Sequence, residues 1–198
     1  TDGTTGNELW KSDGTAAGTV LVADIVPGLG TPNIQTPVNV NGTLFFRATV
    51  SGFGTELWKS DGTAAGTVLV KDIIAGTGSP GIDDMIAYNG KLFFSANDGV
   101  NGNEPWVSDG TAAGTTLFVN IATSGTFPNS NPTNFAVANN LLYFTAFTAS
   151  TQFEPWVSDG TPGGTYMITE IVPGGGGGGG FGFVYMNGYV YFDANGPL

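Results

Sequence analysis

Short apolar runs alternate with turn signals along the whole chain. One cycle shows the grammar: Met85–Tyr88 is apolar, Asn89-Gly90 follows, and Lys91–Ala96 resumes the apolar run as Lys-Leu-Phe-Phe-Ser-Ala. Asn-Gly between two such runs is the strongest two-residue hairpin signal, because both turn positions need positive φ. A looser loop, Asn97–Asn103, leads to Glu104–Ser108, and Asp109-Gly-Thr-Ala-Ala-Gly114 turns the chain back into Thr115–Ile121. Each cycle therefore predicts four short strands. The grammar repeats at Val38–Val40 and Leu44–Ala48 around Asn41-Gly42, and at Phe135–Ala138 and Leu142–Ala146 around Asn139-Asn140. It ends with Phe183–Met186 and Tyr189–Ala194 around Asn187-Gly188. No stretch carries a helical period, so the pattern predicts an all-β protein.

The second strands (Leu44-Phe-Phe46, Leu92-Phe-Phe94, Leu142-Tyr-Phe144, Val190-Tyr-Phe192) are continuously apolar, as strands buried on both faces are. The fourth strands mix apolar residues with Lys71, Asp72, Asn120 or Glu170, as outer strands touching water do. The cycle is long. Glu8, Glu56, Glu104 and Glu154 lie 48, 48 and 50 residues apart, a period that marks solenoids, propellers or arrays. A unit of this size cannot bury its own apolar faces and must stack on its neighbours. Four antiparallel strands of graded burial, repeated about a centre, describe a propeller blade. The expectation is one domain over 1–198, a β-propeller of four blades at about 38–73, 84–121, 135–171, and 183–194 joined to 7–25. The last blade would form by C-terminal strands pairing with N-terminal strands, which closes the ring without an open edge.

Two places break the period. The loop Ala122–Asn134 is two residues longer than its counterparts, and Gly174–Gly180 is seven consecutive glycines. The second departure keeps the length of the equivalent loops, which predicts an ordinary inter-blade loop instead of a flexible linker.

The best-preserved text is Glu-Leu-Trp-Lys-Ser-Asp-Gly-Thr. It supplies Glu8, Trp10 and Asp13, then Glu56, Trp58 and Asp61, Glu104, Trp106 and Asp109, and Glu154, Trp156 and Asp159. The tryptophans are expected to fill blade-to-blade interfaces, with an exposed platform for sugars as the alternative. Each glutamate shares a strand face with its Trp and is expected to latch to backbone or hydroxyl donors, with ligand or cation contact as the alternative. Each aspartate opens a turn that it caps itself, while the following Gly supplies positive φ. All twelve are read as structural, leaving no catalytic residue and no metal ligand assigned. A channel would be lined near Asn39, Met85, Ala136 and Val184, which repeat no charged type.

Composition narrows the function. Five basic residues against sixteen acidic give a net charge of −11, so the clustered Lys and Arg of a nucleic-acid or anionic-lipid surface are missing. Without His or Cys there is no Ser-His-Asp or Cys-His machinery, zinc centre or disulfide. No run of about 18 apolar residues is present to span a bilayer as a helix. The acidity suits calcium, but the Asp-x-Asp-x-Asp-Gly pattern of a strong site is absent, and no cofactor is assigned.

The repeated Glu-Leu-Trp-x-x-Asp-Gly-Thr string resembles the bacterial ELWxxDGT repeat family over nearly the whole chain. Glu104-Pro-Trp106 and Glu154-Pro-Trp156 depart from it at the Leu, and Gly163-Gly164 replaces Ala-Ala or Ala-Gly in the last copy. Asn-Gly-Lys-Leu-Phe-Phe also resembles the kelch style of blade. The first resemblance implies a secreted or surface-exposed bacterial protein of propeller-like repeats, and no reaction. The expectation is an extracellular, non-catalytic module for binding, adhesion or assembly, not an enzyme, taking a protein or glycan ligand or a copy of itself. Recognition would use the loops Pro27–Pro37, Ala75–Asp84, Ala122–Asn134 and Pro173–Gly182. The alternatives are a structural subunit of a surface filament or layer and, disfavoured by four near-identical blades, a polysaccharide lyase or hydrolase.

Overall fold

The structure is a computed structural model that describes residues 3–123, 128–174 and 176–196. Among these residues the chain forms sixteen strands and one 3-10 turn, Pro162–Gly164. A first four-stranded sheet holds β3 (Gln35–Val40), β4 (Thr43–Val50), β5 (Gly54–Ser60) and β6 (Val68–Lys71) in that order. The second holds β7 (Asp83–Tyr88), β8 (Lys91–Asn97), β9 (Asn103–Ser108) and β10 (Thr116–Leu117). The third holds β11 (Thr133–Ala138), β12 (Leu141–Thr148), β13 (Gln152–Ser158) and β14 (Thr165–Met167). Two-stranded sheets flank them: a leading pair, β1 (Leu9–Lys11) and β2 (Val20–Ala23), and a trailing pair, β15 (Phe181–Met186) and β16 (Tyr189–Asp193). Every pairing is antiparallel.

The register repeats with the sequence. Phe46 lies opposite Trp58, Phe94 opposite Trp106 and Phe144 opposite Trp156. One further backbone bond ties each second strand to the loop before its sheet. Thr49 N–H donates to the Pro32 carbonyl, Asn97 to Pro80, Phe147 to Ser130 and Asn195 to Gly178, at 2.6–2.8 Å. Two glycines of the tract keep the backbone of their counterparts and one leaves it: φ is +94° at Gly174 against +90° at Gly76 and +64° at Gly179 against +65° at Gly81, but +60° at Gly177, where Ser79 has no positive φ.

The core lies between sheets. One buried cluster joins Phe45, Leu57 and Val70 of the first sheet to Leu92, Phe94 and Trp106 of the second. Another joins Tyr88, Phe93 and Phe118 of the second to Leu142, Phe144 and Ala146 of the third. The period of two explains it: residues such as Phe93 point to the following sheet, and their neighbours Leu92 and Phe94 to the preceding one. First strands lie side by side, β3 by β7, β7 by β11 and β11 by β15.

Two expectations change. The trailing strands do not pair with the leading ones; each pair stands as a separate two-stranded sheet. Each half-sheet keeps to its sequence neighbour. Lys11 Nζ donates to the Gly62 carbonyl at 2.8 Å, as Lys59 Nζ does to Gly110 at 2.7 Å, so the leading pair sits before the first sheet as the first sits before the second. The trailing pair sits beyond the third sheet through β15 and β11. The expected fourth strand Thr115–Ile121 also shrinks to Thr116–Leu117. Pro105 and Pro155 replace Leu57 in the third strand, and a proline has no N–H for the ladder. Leu57 still pairs with Lys71, whereas β10 and β14 stop after pairing with Trp106 and Trp156.

Candidate functional site

The repeated residues build struts. In each turn the Asp Oδ1 accepts from the N–H and hydroxyl of the Thr two residues on, at 2.7–2.9 Å. These bonds hold the carboxyls of Asp13, Asp61, Asp109 and Asp159 below their ordinary range. The turn closes on a glycine with no room for a side chain, since a Cβ on Gly114 would lie 2.1 Å from Asp109 Oδ1.

The glutamates are buried and receive backbone donors. Glu8 accepts from Ile25 N–H at 2.8 Å and Val26 N–H at 3.0 Å. Glu104 accepts from Ile121, Ala122 and Ser130 N–H, and from Ser130 Oγ at 2.6 Å. Glu154 accepts from Ile171 and Gly178 N–H, both at 3.1 Å. Glu56 accepts from Ile73 N–H at 3.1 Å, and its Oε1 has no partner. Burial raises the carboxyl pKa of Glu104, and pushes that of Glu56 up to about 7.

Trp106 is buried with its ring centroid 6.4 Å from Phe94, and Lys71 Nζ of the first sheet lies 5.7 Å from its ring centre. Trp156 stacks on Phe144 at 6.3 Å, Trp58 is half-buried, and Trp10 is 39% exposed. Of these twelve residues, Asp109 lies at the rim of a small cleft between the first two sheets. Among the described residues no three His, Cys, Asp or Glu side chains converge as metal ligands.

The chemically distinctive place lies where the repeat fails. A cleft of about 420 Å³ opens between the third sheet and the trailing pair, lined by Asn131, Thr133, Asn134, Thr145, Gln152, Phe153, Phe181, Asn195 and Gly176, Gly177 and Gly179. It carries four side-chain amides, two hydroxyls and two aromatic rings, and no charged group. Phe153 and Phe181 are 39% and 42% exposed. Three of the amides sit on backbone with positive φ: Asn131 at +42°, Asn134 at +59° and Gln152 at +64°.

Gln152 is the unusual one. Its equivalents two residues before the glutamate are Gly6, Gly54 and Gly102, of which Gly54 and Gly102 have φ of +70° and +78°. A Cβ on Gly54 would collide with the Gly78 carbonyl at 1.9 Å, and one on Gly102 with the Pro128 carbonyl at 1.8 Å. Gln152 is accommodated because the glycine tract takes a different course beside it: Gly177 lies at φ +60°, a left-handed backbone that Ser79 and Asn129 do not adopt. In the other loops that position holds Thr31, Ser79 or Asn129, whose side-chain oxygens accept from the N–H of Asn7, Thr55 and Asn103. Gly177 offers no such acceptor to Phe153, and the wall of the cleft is bare at that point.

Comparison with protein-family models, curated proteins and solved structures finds no match for the chain. Reading the repeats for their common residues passed over Gln152, whereas Asn131, Thr133 and Asn134 fall inside the expected recognition loop Ala122–Asn134. The signal was present in the misfit: one column reads Gly, Gly, Gly, Gln, and a side chain forced into a glycine conformation marks a constrained place.

Proposed function

We propose that the protein is an extracellular, non-catalytic binding module of β-propeller type whose recognition site is the amide-lined cleft, and whose ligand is a neutral glycan. The observation that carries the reading is Gln152, held in a glycine conformation opposite a tract with no side chains, so that two departures from the repeat open one cleft. Strain of this kind, about 1–3 kcal/mol, clusters at ligand sites. Amides and hydroxyls both donate and accept, as sugar hydroxyls require, and Phe153 and Phe181 offer apolar faces to ring C–H groups. The lining has no Lys or Arg for an anionic ligand. It also has no carboxylate pair, which glycoside hydrolysis requires. No cofactor enters this reading.

The propeller reading draws support from the repeated four-stranded antiparallel sheets stacked face to face with their first strands adjacent. The resemblance to the bacterial ELWxxDGT repeats supports the surface location. The test is a screen of neutral oligosaccharides followed by titration calorimetry. Binding is expected to be lost in Asn131→Ala and in Gln152→Gly; affinity unchanged in both variants would sink the reading.

A further inference from the structure

The glycine tract leaves one backbone donor of the third sheet without an acceptor. Successive residues of a strand turn their N–H and C=O groups to alternate sides. In β13 the Pro155 carbonyl accepts from Ile168 N–H and the Phe153 carbonyl from Gly179 N–H, so Phe153 turns its own N–H away from β12 and toward the tract. Its equivalents are met at that place. Asn7 N–H donates to Thr31 Oγ1 at 3.3 Å, Thr55 N–H to Ser79 Oγ at 3.0 Å, and Asn103 N–H to Asn129 Oδ1 at 2.7 Å. Gly177 holds the fourth position, and a Cβ on it would lie 3.4 Å from Phe153 N. Among the described residues, Phe153 N–H therefore faces the cleft with no acceptor.

The copy one sheet earlier shows which chemistry the position takes. Its acceptor is a carboxamide, and it makes the shortest of the three bonds. The oxygen of that carboxamide stands as many bonds from Cα as the oxygen of an acetamido group stands from a sugar's ring carbon. A carbonyl oxygen only accepts, which suits a lone N–H, whereas a sugar hydroxyl also brings a donor that needs its own acceptor. An acetyl methyl wants apolar surface, and the exposed rings of Phe153 and Phe181 provide it at the same spot. Phe147 holds the Phe153 ring in place, with centroids 5.3 Å apart. The side-chain amides of Asn131 and Asn134 line the same cleft and can accept the acetamido N–H.

We propose that the ligand is an N-acetylated amino sugar whose acetamido carbonyl accepts from Phe153 N–H, as Asn129 Oδ1 accepts from Asn103 N–H. This rests on the glycan reading and narrows it. The sugar completes a bond that the repeat elsewhere completes with its own side chain. A site built around such a donor rejects the analogue that lacks the acceptor, because the donor is then left unpaired.

Titration calorimetry compares N-acetylglucosamine and N-acetylgalactosamine with glucose and galactose, which differ from them only at the acetamido carbon. At least one N-acetyl sugar is expected to bind tenfold or more tighter than its parent. A parent sugar bound equally well, with binding lost in Gln152→Gly, would overturn acetamido recognition and leave the glycan reading standing. No binding of any of the four would also overturn it, while the wider oligosaccharide screen decides the glycan reading separately. Amide spectra of the isotope-labelled chain report the bond itself. With the N-acetyl sugar bound, the Phe153 amide proton is expected to move downfield and to exchange with solvent at least tenfold more slowly, while the Asn103 amide stays unchanged. A Phe153 amide that does not respond refutes the proposal. Asparagine tolerates left-handed backbone, so Gly177→Asn can give Phe153 the acceptor that Asn103 already has. Gly177→Asn, folded by circular dichroism, is expected to bind the N-acetyl sugar at least tenfold more weakly; undiminished binding there is equally fatal.

Discussion

Pro80 stands where Ser130 and Gly178 each donate an N–H to the buried glutamate of their sheet, and Glu56 is left with one oxygen unpartnered. The three residues are equivalent because the carbonyl of each accepts the same second-strand bond, from Asn97, Phe147 and Asn195. A proline has no N–H to give. Burial, with Asp72 adding like charge, therefore pushes the Glu56 carboxyl up to about 7. A folded pKa above the unfolded value of 4.5 stabilises the protein fully below that value, and the contribution is lost as pH rises through about 7. The melting temperature is expected to fall between pH 5 and pH 8, to fall less in Glu56→Gln, and to fall less in Pro80→Ser, which restores a donor. Melts followed by circular dichroism check this; equal slopes in all three proteins would refute it.

Glu104 collects four donors, three from backbone N–H groups and one from Ser130 Oγ. Glu104→Ala strands them in a buried site, at about 1–3 kcal/mol for each group left without a partner or water. The expected loss is about 2–4 kcal/mol, in the upper range for single substitutions. Glu104→Gln keeps one acceptor oxygen and should fall between. Urea unfolding midpoints decide the order.

The Asp-Gly-Thr turn makes a prediction about coupling. Gly114→Ala drives a methyl into the Asp109 carboxylate and is expected to cost about 1–3 kcal/mol. Asp109→Ala removes that carboxylate, so the double variant should be more stable than the sum of the single losses implies. Additive losses in urea melts would show that the clash is not the cause.

At the cleft, stability and binding should move in opposite directions. Gln152→Gly relieves a side chain from a left-handed backbone and is expected to stabilise the fold by up to about 1 kcal/mol. It should also weaken glycan binding at least tenfold. A destabilised Gln152→Gly would remove the strain on which the site was chosen.

The strands were legible in the sequence because each fact about them is local. Asn-Gly turns, apolar triplets and the Asp-Gly-Thr turn needed no distant partner to be read, and the third strand at Glu104–Ser108 differs from β9 by one residue. Pro105 was also visible, but its effect on β10 depends on which ladder bond the missing N–H would have made. The separate half-sheets depend on neighbour packing at both ends, which no local pattern encodes. Gln152 was hidden differently: its meaning comes from the backbone angle it inherits from Gly54 and Gly102.

Among the described residues the main packing joins each sheet to the sheets beside it, and that arrangement governs how the molecule would carry a mechanical load. Among the described residues no ladder joins the leading pair to the trailing pair, so pulling on the ends should not break the chain in one event. Sheets would yield one at a time, each releasing a period of 48 residues, as between Glu8 and Glu56. At 3.3–3.6 Å per extended residue, every event should lengthen the tether by roughly 16 nm before subtracting the folded sheet's own width. A single-molecule force trace is then expected to show a regular sawtooth. A protein with that response dissipates shear in steps and re-forms between them.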